Sequence, residues 1–262
     1  MGDFMLELDH IRYTVDGTEI LKGISTHFEP GRLSLIIGPN GSGKSTLMKI
    51  AGLEFSPTSG TVSYGGRTMG GRDREELART RAALSQNLSL PFPLTVAEVV
   101  MMGRYPHFSF KPSSRDHDIC VLAMERAGVA GLRDRNYLTL SGGEKQMTQF
   151  ARVLAQIWEA PPGEPRYLLL DEPTTFLDVN HQHHLLQALR AIAAGNVVVA
   201  AVIHDINLAS QYGDFIVALH RGVRVAEGTP DEVITPQIFQ ALYGMRGRMI
   251  KNDDLEFPLI VF

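Results

Sequence analysis

One eight-residue stretch restricts the possible fold more than any other part of the chain. Gly38 to Ser45 reads GPNGSGKS and fits the pattern G-x-x-x-x-G-K-S/T. It follows the apolar run Leu33 to Ile37, which predicts a buried strand, and leads into a predicted helix from Ser45 to Ala51. In that context backbone N–H groups and the helix N-terminus can hold phosphates, Lys44 can reach a β- or γ-phosphate, and the Ser45 hydroxyl can bind Mg²⁺. The stretch therefore predicts a phosphate-binding loop.

A second apolar strand is predicted to end in two carboxylates. Tyr167 to Leu170 is followed directly by Asp171 and Glu172. A carboxylate at such a strand end can bind Mg²⁺ directly or through water, and a second one beside it can orient and polarise an attacking water. Taken alone, the two acids fit equally well with a strand that simply leaves the core for solvent. Together with a phosphate-binding loop, they predict a hydrolytic site.

The order of the remaining elements predicts a parallel α/β sheet covered on both faces. Strands are predicted at residues 5–13 and 18–28, which Asp16-Gly17 joins as a hairpin turn, in a hairpin-like stretch at 59–67, at Val197–Ile203 and twice near 214–226. Helices are predicted at 75–84, from a Ser114 cap, from Gly142 to Trp158, at 179–193, and after Thr229, with Pro230 and Glu232 at its first and third positions.

Composition excludes several classes of protein. With 262 residues, 44% of them hydrophobic, the chain can bury a core without disulfides, and its single cysteine, Cys120, excludes a disulfide framework. The longest apolar run, Val197 to Ile203, is far shorter than the ~20 residues of a membrane span, and no secretory signal is recognised. The net charge of −4 gives no reason to expect nucleic-acid binding. These features predict a soluble cytoplasmic protein that reaches a membrane only through a partner.

A third glycine-rich segment makes a family resemblance specific. Leu140 to Gln146 reads LSGGEKQ and can offer a hydroxyl and free N–H groups, although one nucleotide needs only one phosphate cradle. This segment, the two motifs above, Phe176-Leu177-Asp178 and Ile203-His204-Asp205 occur in the order and approximate spacing of ATP-binding cassette (ABC) ATPases. The chain resembles that family over essentially its whole length.

The resemblance implies an α/β P-loop NTPase fold in one ABC transporter domain. A RecA-like nucleotide-binding core with an antiparallel β piece is expected at residues 1–90 and 161–262, and a helical subdomain carrying the LSGGEKQ signature at 91–160. ATP and Mg²⁺ are the implied ligands.

The resemblance also implies roles for individual residues. Tyr13 matches an aromatic that stacks on adenine, with a strand core residue as the alternative. The other implied ATP-binding residues are Gly38, Pro39, Asn40, Gly41, Ser42, Gly43, Lys44, Ser45 and Thr46. The implied catalytic residues are Glu172 as the base, His204, Gln86 and Asp178, and the implied Mg²⁺ ligands are Ser45, Gln86 and Asp171. Ser141, Gly142 and Gly143 match the signature that completes the ATP site of the opposite protomer in a homodimer. Met147 departs from the family pattern, which has arginine there in many members.

A histidine cluster allows two interpretations. His181 and His184 are spaced to share a helix face, with His183 between them, and one interpretation is a metal or haem-iron site. No cysteine lies nearby and no carboxylate has ligand spacing, so a polar helix start is the favoured interpretation.

Two further segments favour an importer. Gly103 to His107 resembles importers of ferric siderophores, haem and cobalamin, and Ala151 to Trp158 looks most like haem-importer ATPases. The resemblance implies a homodimer docked on two permease subunits at the cytoplasmic face of the bacterial inner membrane, served by a periplasmic haem-binding protein. A ferric siderophore or cobalamin importer is an alternative, and a non-transport ABC ATPase is an alternative of another class. A phosphate-loop kinase would have no use for Leu140 to Gln146.

Overall fold

Within residues 5–70, 73–85, 90–161, 163–251 and 257–262, which the computed structural model describes, the chain forms twelve strands and nine α-helices. The strands are β1 (Leu6–Val15), β2 (Thr18–Phe28), β3 (Leu33–Ile37), β4 (Ser59–Tyr64), β5 (Arg67–Met69), β6 (Arg81–Leu84), β7 (Arg166–Asp171), β8 (Val197–Val202), β9 (Phe215–His220), β10 (Val223–Gly228), β11 (Arg248–Ile250) and β12 (Leu259–Val261). The helices are α1 (Lys44–Ala51), α2 (Arg74–Leu77), α3 (Val96–Met101), α4 (Ser114–Arg126), α5 (Gly142–Gln156), α6 (Val179–Ala193), α7 (Ile206–Tyr212), α8 (Pro230–Val233) and α9 (Pro236–Tyr243).

A central sheet of six described strands organises the molecule. Its order is β10-β9-β3-β8-β7-β6, and every neighbouring pair is parallel except β9 with β10. A four-stranded antiparallel sheet has the order β2-β1-β4-β5, and β11 pairs with β12. Parallel strands require crossover connections, which the helices between them supply.

Both faces of the central sheet are covered, as predicted from its continuous apolar strands. In β8, Val197, Val199 and Ala201 belong to the core shared with the helices, and the residues between them belong to the core shared with α1 and the antiparallel sheet. A strand without a solvent face has no place for polar residues, which explains the uniformly apolar sequence of β8.

Most predicted elements are confirmed, with small shifts at their ends. Helix α6 spans the predicted residues 179–193, and the Thr229 capping box with Glu232 is present. Helix α4 is capped by Ser113 rather than by Ser114, and α5 ends at Gln156 rather than Trp158.

The predicted helix over residues 75–84 is wrong. Helix α2 ends at Leu77, and Arg81–Leu84 forms the edge strand β6, with Arg81 paired to Tyr167 and Leu84 to Leu170. The local sequence RAAL favours a helix, but pairing with β7 and burial of Ala82 outweigh that preference. The pair β11 and β12 was not predicted at all.

The segment between Val96 and Gln156 is helical, and a buried arginine ties its parts together. The Arg104 side chain is 2% exposed and donates to the Asp116 carboxylate (3.0 Å), the Ala155 carbonyl (2.8 Å) and the Glu159 carboxylate (3.2 Å). Burial alone would raise the pKa of Asp116, but hydrogen bonds from Ser113 and Arg104 lower it to about 2. The Asp116 carboxylate is thus ionised at neutral pH where it accepts the Arg104 hydrogen bond. In the described ranges, no helix combines the length and apolarity needed to cross a bilayer.

We expect Arg104→Met to lower the free energy of unfolding by about 3–5 kcal/mol, because the substitution leaves the Asp116 carboxylate buried without its counter-charge. Denaturant unfolding measures the loss. The matched control is Arg115→Met, since Arg115 is exposed and contacts Glu159 at 3.0 Å. That variant should lose less than about 1 kcal/mol. Equal losses for the two variants would contradict the importance of the buried pair.

Candidate functional site

The loop from Gly38 to Gly43 has backbone conformations at its two ends that leave no room for a side chain. Gly38 has φ +145°, and a Cβ there would lie 2.1 Å from the Leu219 carbonyl oxygen. Gly43 has φ +101° and caps α1, and a Cβ there would lie 2.6 Å from a Leu21 methyl. Glycine is therefore required at both ends of the loop, where positive φ and close approach coincide.

The loop is supported from behind by the turn between β9 and β10. The Gly222 N–H donates to the Ser42 carbonyl (3.0 Å), and the Lys22 N–H of β2 donates to the Gly222 carbonyl (2.8 Å). This chain of hydrogen bonds connects the antiparallel sheet, the turn and the phosphate-binding loop. The motif does not include Gly222, and sequence reasoning missed this support, although Arg221-Gly222 between two predicted strands is a recognisable turn signal.

The loop, two strand ends and β2 enclose a cavity of about 450 Å³. Its lining residues are Ile20, Asn40, Gly41, Ser42, Gly43, Lys44, Ser45, Thr46, Glu172 and His204. Lys44 is buried, and its ammonium donates to the carbonyls of Gly38 (2.8 Å) and Pro39 (3.0 Å). Burial lowers the pKa of Lys44, and the charges of Glu172 and Asp171 oppose that effect. The cavity thus combines a cation and backbone N–H groups with the Glu172 carboxylate.

The oxygen ligands beside the loop fit a divalent cation. The Ser45 hydroxyl donates to the Asp171 carboxylate at 3.0 Å. Burial raises the pKa of Asp171, the Ser45 hydrogen bond lowers it, and neighbouring Glu172 raises it further. A buried carboxylate next to a second one is stabilised by a positive charge, and hydroxyl and carboxylate oxygens are what Mg²⁺ prefers.

Glu172 and His204 are in direct contact. Glu172 Oε1 lies 2.7 Å from His204 Nε2. Glu172 has φ +54°, a left-handed conformation that costs a non-glycine residue free energy and that surrounding structure must maintain. Because β7 and β8 pair in parallel with Asp171 opposite Val202, the residues just beyond their ends are brought to the same edge of the sheet.

The signature segment lies at a second cavity, of about 730 Å³. Ser141 caps α5 by accepting the Glu144 N–H, and the Glu144 carboxylate accepts the Ser141 N–H at 2.7 Å. Hydrogen bonds from Ser141 lower the pKa of Glu144. Ser141, Gly142 and Gly143 line this cavity with Phe176, Asp178 and Met147, and none of the named lining residues of the smaller cavity recurs here.

Asp178 therefore lies with the signature segment rather than with Glu172 and His204. Asp178 caps α6: its Oδ1 accepts the backbone N–H of His181 and also contacts His181 Nδ1, with both distances 2.8 Å. These bonds lower the pKa of Asp178. His183 contacts the Tyr212 hydroxyl at 2.6 Å. Across the described part of the chain, no three His, Cys, Asp or Glu side chains are grouped to hold a bare metal ion. The structural interpretation of the histidines stays a prediction.

Tyr13 and Gln86 are the two predicted site residues that remain to be placed. The Tyr13 ring stacks on Phe55, with centroids 5.5 Å apart and an interplanar angle of 11°, and the Lys49 ammonium lies 5.2 Å from the Phe55 centroid. Tyr13 is not among the named lining residues of the smaller cavity. Phe55 lies in a turn without a motif, so its stacking was not predicted. Gln86 lies outside the described residues.

Comparison with known proteins decides the family. Residues 21–175 match the ABC transporter family model. The chain belongs to the ABC transporter family. It is 45% identical over 257 residues to a hemin import ATP-binding protein of Gloeobacter violaceus, covering 98% of this chain and 94% of that one. It is thus an ABC-type ATPase, a subunit that binds and hydrolyses ATP.

Solved structures agree on the fold. An inward-facing metal-chelate type ABC transporter matches 99% of this chain and 97% of its own with a TM-score of 0.82 at 23% identity. A dimeric bacterial ABC transporter cassette matches 86% of this chain and 98% of its own, with a TM-score of 0.74 at 26% identity. The expected α/β P-loop NTPase fold is confirmed.

We expect Gly38→Ala to weaken ATP binding at least about 10-fold, equivalent to about 1.4 kcal/mol. A Cβ at that position must push the loop away from the Leu219 carbonyl, which belongs to the sheet and cannot yield. Calorimetric titration with ATP measures the change. Gly131→Ala is the control, because a Cβ there meets no atom within 4 Å. Unchanged affinity in Gly38→Ala would show that the close approach has no role in ATP binding.

Proposed function

We propose that the chain is the ATP-binding subunit of a haem importer. The observation that carries this proposal is the 45% identity, over almost the whole of both chains, to a protein named for hemin import. The matched 98% of the chain spans Gly103–His107 and Ala151–Trp158, the two segments that favour an importer in the sequence.

Nucleotide binding is assigned to the smaller cavity. The N–H groups of residues 40–46 and the Lys44 ammonium hold the phosphates, with Gly38 and Pro39 shaping the start of the loop. Tyr13, with Phe55 behind it, stacks on the adenine. Ser45 and Asp171, with Gln86, hold Mg²⁺. When bound, Mg²⁺ neutralises charge on the β- and γ-phosphates. The 3.0 Å contact between the Ser45 hydroxyl and the Asp171 carboxylate supports the assignment of these two residues as Mg²⁺ ligands.

Hydrolysis is assigned to the contact between Glu172 and His204. Glu172 acts as the general base, taking a proton from the attacking water. His204 orients the Glu172 carboxylate through Nε2 and contacts the γ-phosphate. The 2.7 Å distance between the two side chains supports this pairing. Gln86 and Asp178 complete the proposed catalytic set, Asp178 from the opposite side of a dimer interface.

The separation of the two cavities supports a homodimer. Ser141, Gly142 and Gly143 lie at the larger cavity, away from the loop that holds the phosphates. Each ATP is then held between Lys44 of one protomer and Ser141 of the other. A dimer that closes on ATP and reopens after hydrolysis converts chemical energy into movement.

The dimer acts on a membrane through partners. It docks on two permease subunits at the cytoplasmic face of the bacterial inner membrane, and a periplasmic haem-binding protein delivers the cargo. Nucleic acid is not among the proposed partners. Transport of a ferric siderophore or of cobalamin by the same machinery is the alternative, and the transport assay below distinguishes them.

We expect Glu172→Gln to lower ATP turnover by roughly 10²-fold or more while preserving ATP binding, because the amide keeps the size of the side chain but cannot take a proton. Steady-state phosphate release measures turnover. Gel filtration with ATP should show a dimer that the unsubstituted protein does not retain. Near-normal hydrolysis by the variant would exclude Glu172 as the base.

The cargo is tested in vesicles containing the full importer and its binding protein. ATP-dependent uptake of haem is expected, and Glu172→Gln should abolish it because hydrolysis drives the transport cycle. Cobalamin and a ferric siderophore serve as competing cargoes. Uptake of either one with haem ignored would reject haem and leave the ATPase assignment in place.

A further inference from the structure

The segment that carries His204 is fixed at its start by the central sheet. The Ile203 N–H donates to the Ile36 carbonyl at 3.0 Å, which ties the end of β8 to the end of β3. His204 follows immediately and is exposed apart from its contact with Glu172. Its position therefore depends on how the chain is held on its other side.

On that other side the chain enters α7 through a cap. Asp205 accepts the N–H groups of Asn207 (2.7 Å) and Leu208 (3.0 Å). Helix α7 has seven residues, and a helix so short is not stable by itself in water. Its placement must come from tertiary contacts.

Asn207 makes a paired contact with the last strand of the chain. Its side-chain amide donates to the Ile260 carbonyl at 3.1 Å, and its side-chain oxygen accepts the Ile260 N–H at 2.9 Å. Both backbone groups of Ile260 are thus bound by one side chain, as a neighbouring strand would bind them. One turn further along α7, the buried Ser210 hydroxyl donates to the Pro258 carbonyl.

The C-terminal segment that receives these bonds is itself anchored. Ile260 is 1% exposed within the core that includes Phe239 of α9. The Phe239 ring stacks on Phe262, with centroids 5.3 Å apart and an interplanar angle of 25°. Strand β12 also pairs with β11. The segment 257–262, which we name the C-terminal clamp, is therefore a fixed support for α7.

We propose that Asn207 is a positioning residue for hydrolysis, which holds the His204 segment in place by fastening α7 to the C-terminal clamp. This inference rests on the proposed role of His204. Neither Asn207 nor the clamp lines the cavity assigned to ATP. Hence the clamp affects the chemical step rather than ATP binding. A small displacement of a reacting or orienting group is enough to cost up to about 10²-fold in rate.

The first test compares kinetic constants of full-length variants. Asn207→Ala removes both bonds to Ile260 and should lower kcat about 10-fold or more, with KM for ATP changed less than about 2-fold. Asn207→Asp keeps the acceptor for the Ile260 N–H and should retain more of kcat than Asn207→Ala. Ser25→Ala is the matched control, because the Ser25 hydroxyl accepts the His10 N–H (2.8 Å) in the antiparallel sheet, away from His204.

The second test observes His204 itself. Its imidazole NMR signal, assigned by its loss in His204→Ala, should move or broaden in both Asn207 variants and stay unchanged in Ser25→Ala. If Asn207→Ala does not fold, Asn207→Asp carries both measurements. Unchanged kcat and an unchanged His204 signal in a folded Asn207 variant would overturn the proposal, as would a fall in kcat matched by Ser25→Ala.

His204→Ala separates the role of His204 from that of the C-terminal clamp. If His204→Ala hydrolyses ATP normally, the proposed role of His204 is wrong, and the positioning proposal is overturned with it. If His204→Ala loses hydrolysis while the Asn207 variants keep kcat, the role of His204 stands and the clamp proposal alone is overturned.

Discussion

Parallel pairing of three buried strands is the constraint on which the site depends. Val202 of β8 pairs with Ile36 of β3 on one side and with Asp171 of β7 on the other. Just beyond these residues begin the phosphate-binding loop, Glu172 and His204. Because successive residues of a strand face opposite sides, a slip of one residue would exchange the two buried faces. The apolar cores on both faces therefore fix the register, and the register fixes which polar groups meet at the sheet edge.

This constraint explains which parts of the site could be predicted from the sequence. The phosphate-binding loop and the Asp171–Glu172 pair are local patterns next to apolar strands, so both the motif and its place in the sheet can be predicted. His204 and the signature segment carry weaker local signals, and the family resemblance was needed to recognise them. The ABC transporter fold followed from the same resemblance and is confirmed by the comparisons.

The remaining features depend on contacts between residues far apart in sequence. Arg81–Leu84 is a strand only because β7 lies beside it, and its own sequence favours a helix. The support of the loop by Gly222 joins residues 180 positions apart. The bonds between Asn207 and Ile260 likewise join a helix to a strand that the sequence pattern did not predict. Local sequence periodicity does not predict contacts between distant residues, so these contacts are found only in the three-dimensional structure.

The support of the loop by Gly222 also has a consequence for the synthesis of the protein. During translation the loop residues leave the ribosome well before their neighbours β8, β9 and the Gly222 turn, which come at residue 197 and later. Contacts of such long sequence separation form slowly and only after the intervening chain is available. The nascent chain thus carries a complete phosphate-binding motif without the backbone that holds it. We expect the ability to bind ATP to arise only after the Gly222 turn has been synthesised, which is later than the helices between β6 and β7.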